Sequence, residues 1–197
     1  HFKPTTDLKD DKFWDILEDS NGQIWLGNNA GVLFIDPVKK AIKLLKFNSP
    51  VVQIFEDSKG KIWLGTEGKG VFIYDPYKKT LRNIEFTYLS SKGNNVYSIT
   101  EDDRNQIWIG HATEGLSIIH RDDYSIKSMN TPIDFSNVPV THLLNGKDGK
   151  IWASTFRAGI LVFDQNDATY QILDKDHGLH SNQIVALHKS KNSDIWT

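Results

Sequence analysis

The sequence alternates short apolar runs with polar turns, and this alternation recurs along the whole chain. Residues 54–66 read Ile-Phe-Glu-Asp-Ser-Lys-Gly-Lys-Ile-Trp-Leu-Gly-Thr, and altered copies lie at 16–27, 99–110 and 143–152, with a clipped copy at 194–197. Runs rich in Ile, Val, Phe and Trp favour strands. Asp, Ser and Gly between the runs favour turns, because Asp and Ser bond nearby backbone groups and Gly accepts a positive φ. Each copy therefore predicts a β-hairpin.

The spacing of the repeat predicts the fold class. Tryptophan recurs behind isoleucine at Trp25, Trp63, Trp108, Trp152 and Trp196, in steps of 38, 45, 44 and 44 residues. In the second copy, the hairpin is followed by a third apolar run at 70–75 and a more polar fourth run at 80–87. Four strands in about 44 residues match one blade of a β-propeller. We therefore predict an all-β fragment of a β-propeller, built from four-stranded antiparallel blades.

The predicted blades lie at about 12–48, 50–89, 95–130 and 139–174, with an incomplete blade at 182–197. Residues 1–6 are interpreted as the outer strand of another blade, and no stretch shows the apolar stripe of a helix. About four and a half blades leave open β-edges, which proteins normally cover. We therefore expect the chain to belong to a longer propeller, to contact the remaining blades and domains of its parent and, taken alone, to self-associate through the open edges.

The repeated Trp has two interpretations. It could stack on a sugar or a base, or it could pack in the core between adjacent blades. A Trp at the same strand position in every repeat favours core packing, since a ligand site would rarely need all five. The repeated Glu-Asp before the turn is likewise interpreted as a device that closes the turn and the strand ladder, rather than as a catalytic pair.

Composition excludes several classes of partner and chemistry. The 197 residues are 39% hydrophobic and 24% charged, with a net charge of −2 and no run of Lys or Arg, which argues against nucleic acid or an anionic membrane as partner. No stretch approaches the roughly 18 apolar residues of a membrane-spanning helix. The absence of Cys excludes disulfides and zinc-thiolate sites. The His residues show no metal-ligand spacing, so we expect no metal and no cofactor.

Three motifs of the chain resemble those of a known repeat family. Glu-Asp-Ser-x-Gly-x-Ile-Trp-Leu-Gly-Thr occupies 56–66, Gly-Val-x-x-Tyr-Asp-Pro occupies 70–76, and the connector at 176–184 reads Asp-His-Gly-Leu-His-Ser-Asn-Gln-Ile. Together they resemble the two-component regulator propeller repeat. Two copies depart from the motif, because the third has Asp-Arg-Asn at 103–105 and the fourth has Ala153 after its Trp.

The resemblance implies a function. Members of the family are periplasmic sensor regions of hybrid two-component histidine kinases, above all in Bacteroidetes, and their propellers usually have seven blades. They are thought to detect oligosaccharides. By resemblance, this chain would be the ligand-sensing or scaffold part of an inner-membrane-anchored sensor. It would lie in the periplasm without touching the membrane, would not itself be an enzyme, and would signal to a kinase outside these residues.

Candidate binding residues lie on the loops between second and third strands and on the connectors between blades, which share one face of a propeller. They vary between repeats while the strand residues do not, as expected for a site on a fixed scaffold; simple solvation of loops is the alternative. Phe156 beside Arg157 suits a sugar ring, although Phe156 could equally plug the channel. The candidates are Asn28, Asn29, Glu67, Lys69, His111, Glu114, Phe156 and Arg157, with His177, His180 and Asn182 on a connector.

Two other functions stay open at this point. Glu67 and Glu114, on matching loops of neighbouring blades, could form the carboxylate pair of a glycosidase or lyase. A sialidase-like site would need several Arg, and only Arg157 is well placed among the four. The glycine-rich stretch 65–70 opens no helix and makes a weak phosphate cradle. The last alternative is a propeller that only binds other proteins.

Overall fold

The computed structural model describes residues 12–87, 89, 94–129, 134–135, 137–147 and 149–197. The predicted strand at 1–6 lies outside the described residues. Blade one consists of β1 (Phe13–Glu18), β2 (Ile24–Asn28), β3 (Gly31–Asp36) and β4 (Ala41–Lys46). Blade two consists of β5 (Val51–Glu56), β6 (Ile62–Thr66), β7 (Val71–Asp75) and β8 (Thr80–Ile84).

The remaining strands repeat the same order. Blade three consists of β9 (Val96–Glu101), β10 (Gln106–His111), β11 (Leu116–His120) and β12 (Ile126–Ser128). Blade four consists of β13 (Val140–Asn145), β14 (Lys150–Thr155), β15 (Ile160–Asp164) and β16 (Thr169–Leu173). A final hairpin pairs β17 (His188–Lys189) with β18 (Ile195–Trp196), and one turn of 3-10 helix at Lys175–His177 lies in the connector before it.

Each blade is a four-stranded sheet in which neighbours along the chain pair antiparallel. The prediction of an all-β propeller fragment with four-stranded antiparallel blades is confirmed. In blade two the predicted strands agree with the observed ones to within about one residue for the first three, and the fourth ends earlier, at Ile84 instead of 87. The chain divides into two compact units, the first holding blades one and two together with Asn94–Val96, and the second holding the rest of blade three, blade four and the final hairpin.

A buried aspartate closes the hairpin turn of each of the first three blades. Asp57 is 3% exposed, and its Oδ1 accepts the backbone N–H groups of Lys59 and Lys61, both at 2.9 Å. Its Oδ2 accepts the indole N–H of Trp63, also at 2.9 Å. One carboxylate therefore binds the turn to the aromatic ring that fills the core.

The same arrangement recurs in the other two blades. Asp19 accepts the backbone N–H groups two and four residues later and the indole N–H of Trp25, at 2.9, 2.9 and 2.8 Å. Asp102 does the same with Trp108 at 2.9, 2.8 and 2.7 Å. The interpretation of the repeated Asp as a turn device is therefore confirmed. Its bond to the indole is an addition that the sequence pattern did not predict.

The last two copies lack this aspartate, and their Trp residues differ accordingly. Gly146 stands at the aspartate position of blade four, and a Cβ there would lie 2.7 Å from the indole nitrogen of Trp152, so the ring occupies the space of the missing side chain. In the final hairpin, the hydroxyl of Ser190 accepts the N–H groups of Asn192 and Asp194 at 3.2 and 3.1 Å, which leaves the indole without that acceptor.

The five repeat tryptophans differ in burial. Trp25, Trp63 and Trp108 are at most 1% exposed, so the core interpretation is confirmed for them. Trp152 is half-buried and packs against a smaller cluster that includes Ile160 and Ile184. Trp196 lies on the final two-stranded hairpin, where its ring is 64% exposed.

Hydrophobic cores lie between successive blades within each unit. In the first unit, Trp25 and Val32 of blade one pack with Ile54 and Leu64 of blade two. In the second unit, Trp108 and Leu116 pack with residues of blade four that include Leu143. Gly27 permits this close approach in the first unit, because a Cβ at this position would collide with the backbone oxygen of Val51.

Removing the buried aspartate should destabilise a blade more than removing an exposed turn aspartate. We expect Asp57→Ala to lower the free energy of unfolding by roughly 2–4 kcal/mol, because two backbone donors and a buried indole N–H lose their acceptor. Asp75→Ala is the matched control, since Asp75 also accepts two backbone N–H groups, at 3.0 Å each, but in an exposed turn. Its expected cost is about 1 kcal/mol or less. Chemical denaturation measures both variants, and equal losses would contradict the role of the indole bond.

Candidate ligand-binding face

The loops between second and third strands are closed by threonine at two equivalent positions. In the first unit, Thr66 Oγ1 donates to the Gly70 carbonyl at 2.8 Å. In the second unit, Thr155 Oγ1 donates to the Gly159 carbonyl at 2.9 Å and accepts the N–H of Ala158 at 2.8 Å. Both threonines are fully buried. The residues that follow them therefore project from a loop whose base is fixed.

The connectors between blades lie against these loops within each unit. Glu67 N–H donates to Pro50 O at 3.1 Å in the first unit, and Phe156 N–H donates to Pro139 O at the same distance in the second. The loop that carries Phe156 is also bonded to the next connector, because Gly159 N–H donates to Asn182 O at 3.0 Å. Within each unit, loops and connectors thus share one edge of the blades, as the sequence predicted.

On this edge of the second unit, the exposed aromatic residue Phe156 is followed directly by the exposed cationic residue Arg157. Phe156 is 41% exposed, although large aromatic side chains are usually buried. Arg157 follows it directly and is exposed as well. An apolar ring face beside a guanidinium group is suited to a ligand with both an apolar face and hydrogen-bond acceptors.

Asn182 has a structural role in the connector. Its side-chain oxygen accepts the N–H of Lys175 at 2.8 Å while its backbone carbonyl binds the loop at Gly159. Asn94 occupies the equivalent position in the first unit, where its side chain accepts Phe86 N–H at 2.8 Å and its carbonyl accepts Gly70 N–H at 2.9 Å. The shared pattern indicates that Asn182 holds the connector in place beside the candidate loop.

His180 and His177 lie on the same connector and differ in their surroundings. His180 is exposed and borders an open cleft of about 630 Å³ with Leu179 and Val185. His177 belongs to the 3-10 turn, where its Nδ1 lies 2.7 Å from Asp174 Oδ1. Asp174 caps the turn, since the same oxygen accepts the N–H groups of Asp176 and His177 at 2.9 and 3.2 Å. These hydrogen bonds, the one from the His177 side chain foremost, lower the pKa of Asp174 below its usual value of 3.8.

In the first unit, the candidate residues have mixed roles. Asn28 is completely buried, and its side chain accepts the N–H groups of Ala30 and Gly31 at 2.9 Å each, so it shapes the loop from below. Asn29 is exposed and accepts the indole N–H of Trp14 at 2.9 Å. Lys69 donates its ammonium group to the carbonyl of Phe47 at 3.0 Å, and Glu67 is exposed.

The two candidate residues in the loop of blade three, His111 and Glu114, differ in exposure. His111 has no exposed surface, and its Nε2 lies 2.7 Å from the hydroxyl of Ser117, so this ring supports the loop from within and does not reach the face. Glu114 is exposed and has φ = 78°, a left-handed backbone conformation that is uncommon for residues with a side chain. The burial of His111 could not be predicted from the sequence, because the loop residues that follow it are polar or glycine and indicate an exposed position.

A glycosidase or lyase would need a pair of carboxylates, and a sialidase-like enzyme would need several arginines. Glu67 lies in the first unit and Glu114 in the second, each exposed on its own loop. Arg121 is buried and forms an ion pair with Glu101 at the end of β11, away from the loop of Arg157. Among the described residues, no group of three or more His, Asp or Glu side chains could hold a metal ion. In the same part of the chain, no helix has the length and apolar character needed to cross a membrane.

A family model described as two component regulator propeller matches residues 7–30, 45–68 and 90–113. Each matched segment ends in the loop that follows an Ile-Trp hairpin. In these three segments the chain is similar to the two component regulator propeller repeat. The hairpin aspartates Asp19, Asp57 and Asp102 all lie within the matched segments, so the repeat motif and the turn device coincide.

Solved structures with similar folds include extracellular bacterial domains and an enzyme. The extracellular domain assigned to the one component system BT4673 of B. thetaiotaomicron is 22% identical, with a TM-score of 0.81 over 98% of this chain and 27% of that chain. The extracellular domain assigned to the hybrid two component system BT3049 of the same organism is 18% identical, with a TM-score of 0.74 over 94% of this chain and 25% of that chain. Virginiamycin B lyase of Staphylococcus aureus is 16% identical, with a TM-score of 0.79 over 93% of this chain and 62% of that chain.

At these identities the likeness shows the propeller fold. The chain spans about a quarter of the length of the two B. thetaiotaomicron chains, so these propeller repeats match one part of a larger protein in each case. No curated protein sequence matches the chain.

The connector should lose stability in acid. The pKa of Asp174 is lowered in the folded state, so its contribution to stability is fully present above 3.8 and is lost as the pH falls through the lower, folded value. We expect Asp174→Asn to reduce the melting temperature at neutral pH and to differ little from the unmodified chain well below pH 3.8.

The control is Asp176→Asn, which changes an exposed carboxylate in the same turn. Melting temperatures of the three proteins across the acid range test this expectation. A loss on Asp174→Asn that is independent of pH would contradict the role of the charged carboxylate.

Proposed function

We propose that this chain is the ligand-sensing part of a propeller in a hybrid two-component sensor, outside the cytoplasm, and that its ligand is an oligosaccharide. The kinase that would receive the signal lies outside these residues. The observation that carries the proposal is the exposed Phe156–Arg157 pair on a loop fixed at its base and bonded to the connector at Asn182. Two component regulator propeller repeats and the extracellular sensor domains with the same fold support it.

A sugar suits this pair for physical reasons. A pyranose presents an apolar C–H face, which packs on an aromatic ring, and many hydroxyl oxygens, which accept from a guanidinium fork. Residues 156–159 of this loop include no acidic side chain, and the net charge of the whole chain is only −2, so a neutral or acidic sugar would meet no strong repulsion there. His180 on the adjacent connector adds a second polar group that a longer ligand could reach.

Sensing also requires that the bound ligand favour one arrangement of the parent protein. The Thr155 and Asn182 hydrogen bonds tie the candidate loop to both its own blade and the connector. A ligand held by Phe156 and Arg157 would therefore act on the blade as a whole, and the propeller would transmit the change as a rigid body. We place the sensor in the periplasm as part of a membrane-anchored protein, in line with the extracellular domains that share its fold.

The second candidate function is a carbohydrate-active enzyme. The observation in its favour is that virginiamycin B lyase, an enzyme, has the same fold. Its candidate residues in this chain are Glu67 and Glu114, whose exposed carboxylates would act as acid and base. A scaffold that only binds proteins would need neither these carboxylates nor the Phe156–Arg157 pair.

A thermal-shift screen against plant, host and fungal oligosaccharides tests the proposal. A sugar that binds only the folded state should raise the melting temperature in a saturable way, with about 2.7 kcal/mol of added stability at a hundred times its Kd. Phe156→Ala and Arg157→Ala should each weaken binding by roughly tenfold or more. Tyr77→Ala is the control, because this ring is 75% exposed but lies in the turn between β7 and β8.

The sensor proposal requires that the bound sugar be recovered intact. Cleavage of the sugar that disappears on Glu67→Gln or Glu114→Gln would contradict the sensor proposal and support the enzyme. Binding that survives both loop variants would refute the assignment of Phe156 and Arg157, and a flat response to every sugar would favour the scaffold.

A further inference from the structure

Trp14 is the one tryptophan of the chain that lies outside the Ile-Trp positions of the repeat. It belongs to β1 and is 50% exposed, although tryptophan side chains are highly buried on average. Its indole N–H donates to the side-chain oxygen of Asn29 at 2.9 Å. The polar atom of the ring is therefore satisfied, and the ring presents an apolar surface to solvent.

A β-bulge places this side chain at the loop edge of blade one. The register of β1 against β2 skips one residue between Phe13 and Asp15, so Trp14 is the extra residue of the bulge. Bulges of this kind often re-aim a side chain. The bulge lies opposite the end of β2, from which the loop continues to Asn29, and the ring and the loop residue meet there.

The backbone beside Trp14 is fixed to the next blade of the same unit. Asp15 Oδ2 accepts the side-chain N–H of Gln53 at 2.9 Å and the backbone N–H of Ile54 at 2.6 Å, both in β5. The bulge is thus tied to blade two, while the ring is tied to the loop of blade one. A ring that is already held in place loses little conformational freedom when a ligand packs on it.

The indole also determines what Asn29 can offer to a ligand. An indole N–H can only donate a hydrogen bond, so the oxygen of the Asn29 amide faces the ring. The amide nitrogen, with its two N–H donors, lies on the other side of this exposed side chain. An apolar ring and a pair of hydrogen-bond donors therefore lie side by side at the loop edge.

Blade four holds the opposite residue types at the same two positions. Thr141 is the extra residue of its bulge, and Phe156 occupies the loop position that corresponds to Asn29. In blade one the strand supplies the ring and the loop supplies the polar group. In blade four the loop supplies the ring and the strand supplies the polar group.

The other two blades show that the frame does not require an exposed ring at this edge. Blade two has Val52 at the bulge and Glu67 in the loop, so neither position is aromatic. Blade three has Tyr97 and Ala112 at the corresponding positions, and Tyr97 is half-buried. The exposed ring of Trp14 is therefore specific to blade one, as expected for a binding residue on a repeated scaffold.

We propose that Trp14 and Asn29 form a subsite for one unit of a neutral oligosaccharide. The apolar C–H face of a pyranose would pack on the indole, and a hydroxyl oxygen would accept from the Asn29 amide nitrogen. The polar group beside the ring is an uncharged amide, and the carboxylate of Asp15 follows directly, so an acidic sugar is disfavoured. The inference rests on the proposed sugar-sensing function, but it uses residues of the other unit.

A nuclear magnetic resonance titration of the whole chain, observed at the indole N–H groups, tests the subsite. The probes are xylohexaose, mannohexaose and cellohexaose, with an acidic oligogalacturonate for comparison. At least one neutral hexasaccharide should shift the Trp14 signal in a saturable way, whereas the oligogalacturonate should not. The Trp14 signal is identified by its loss in Trp14→Phe, and the signal of Trp63, which is fully buried, should stay in place.

Trp14→Ala should weaken binding of that sugar by roughly tenfold or more, because the ring supplies the stacking surface. Trp196→Ala is the matched control and should leave the Kd unchanged, since this ring is also exposed but lies on the final hairpin. Asn29→Asp keeps an oxygen that accepts from the indole and removes both donors. It should therefore weaken binding while the melting temperature stays close to that of the unmodified chain.

Phe156→Ala separates this inference from the proposed sensor site. Weaker binding on Trp14→Ala alone would support the subsite and contradict the assignment of Phe156, and weaker binding on Phe156→Ala alone would do the reverse. Weaker binding on both would support both sites. The subsite is also overturned if no neutral hexasaccharide shifts the Trp14 signal, or if Trp196→Ala weakens binding as much as Trp14→Ala.

Discussion

One buried carboxylate in each of the first three blades links the local turn to the core between blades. Asp57 shows how much depends on it, since the same side chain closes the hairpin through Lys59 and Lys61 and fixes the ring of Trp63. An indole N–H in an apolar core would otherwise remain unsatisfied. Where Gly146 and Ser190 replace the aspartate, the turn still closes, through Gly146 N–H to Lys150 O and Ser190 N–H to Asp194 O.

The repeat made most of the fold predictable, because the period of the Trp positions indicates four strands per blade and the polar Asp- and Gly-containing turns mark where the hairpins bend. Side-chain partners at single positions were not predictable in the same way. His111 reads as a polar loop residue, yet its pairing with Ser117 inside the blade buries it completely. Asn182 reads as a candidate ligand residue, yet its counterpart Asn94 shows that the position anchors connectors. Both outcomes depend on long-range packing that a local pattern does not contain.

The two edges of the blades carry different chemistry on the same frame. At one edge, loops fixed by buried threonines present residues that differ between repeats, with Phe156 and Arg157 as the pair most suited to a sugar. At the other edge, the hairpin turns of the first three blades are held by the buried aspartates. One edge of the repeated frame thus holds the blade together, while the other presents the residues that vary.

Hydrogen exchange of the indole N–H groups, followed by nuclear magnetic resonance, tests the role of the buried carboxylate most directly. Trp25, Trp63 and Trp108 each donate to an aspartate in a buried site, so their indole protons should exchange slowly and only when a blade opens. The indole proton of Trp196, on an exposed ring, should exchange rapidly and serves as the internal reference. Rapid exchange at Trp63, on the timescale of Trp196, would contradict the account that the aspartate and the indole hold the blade together.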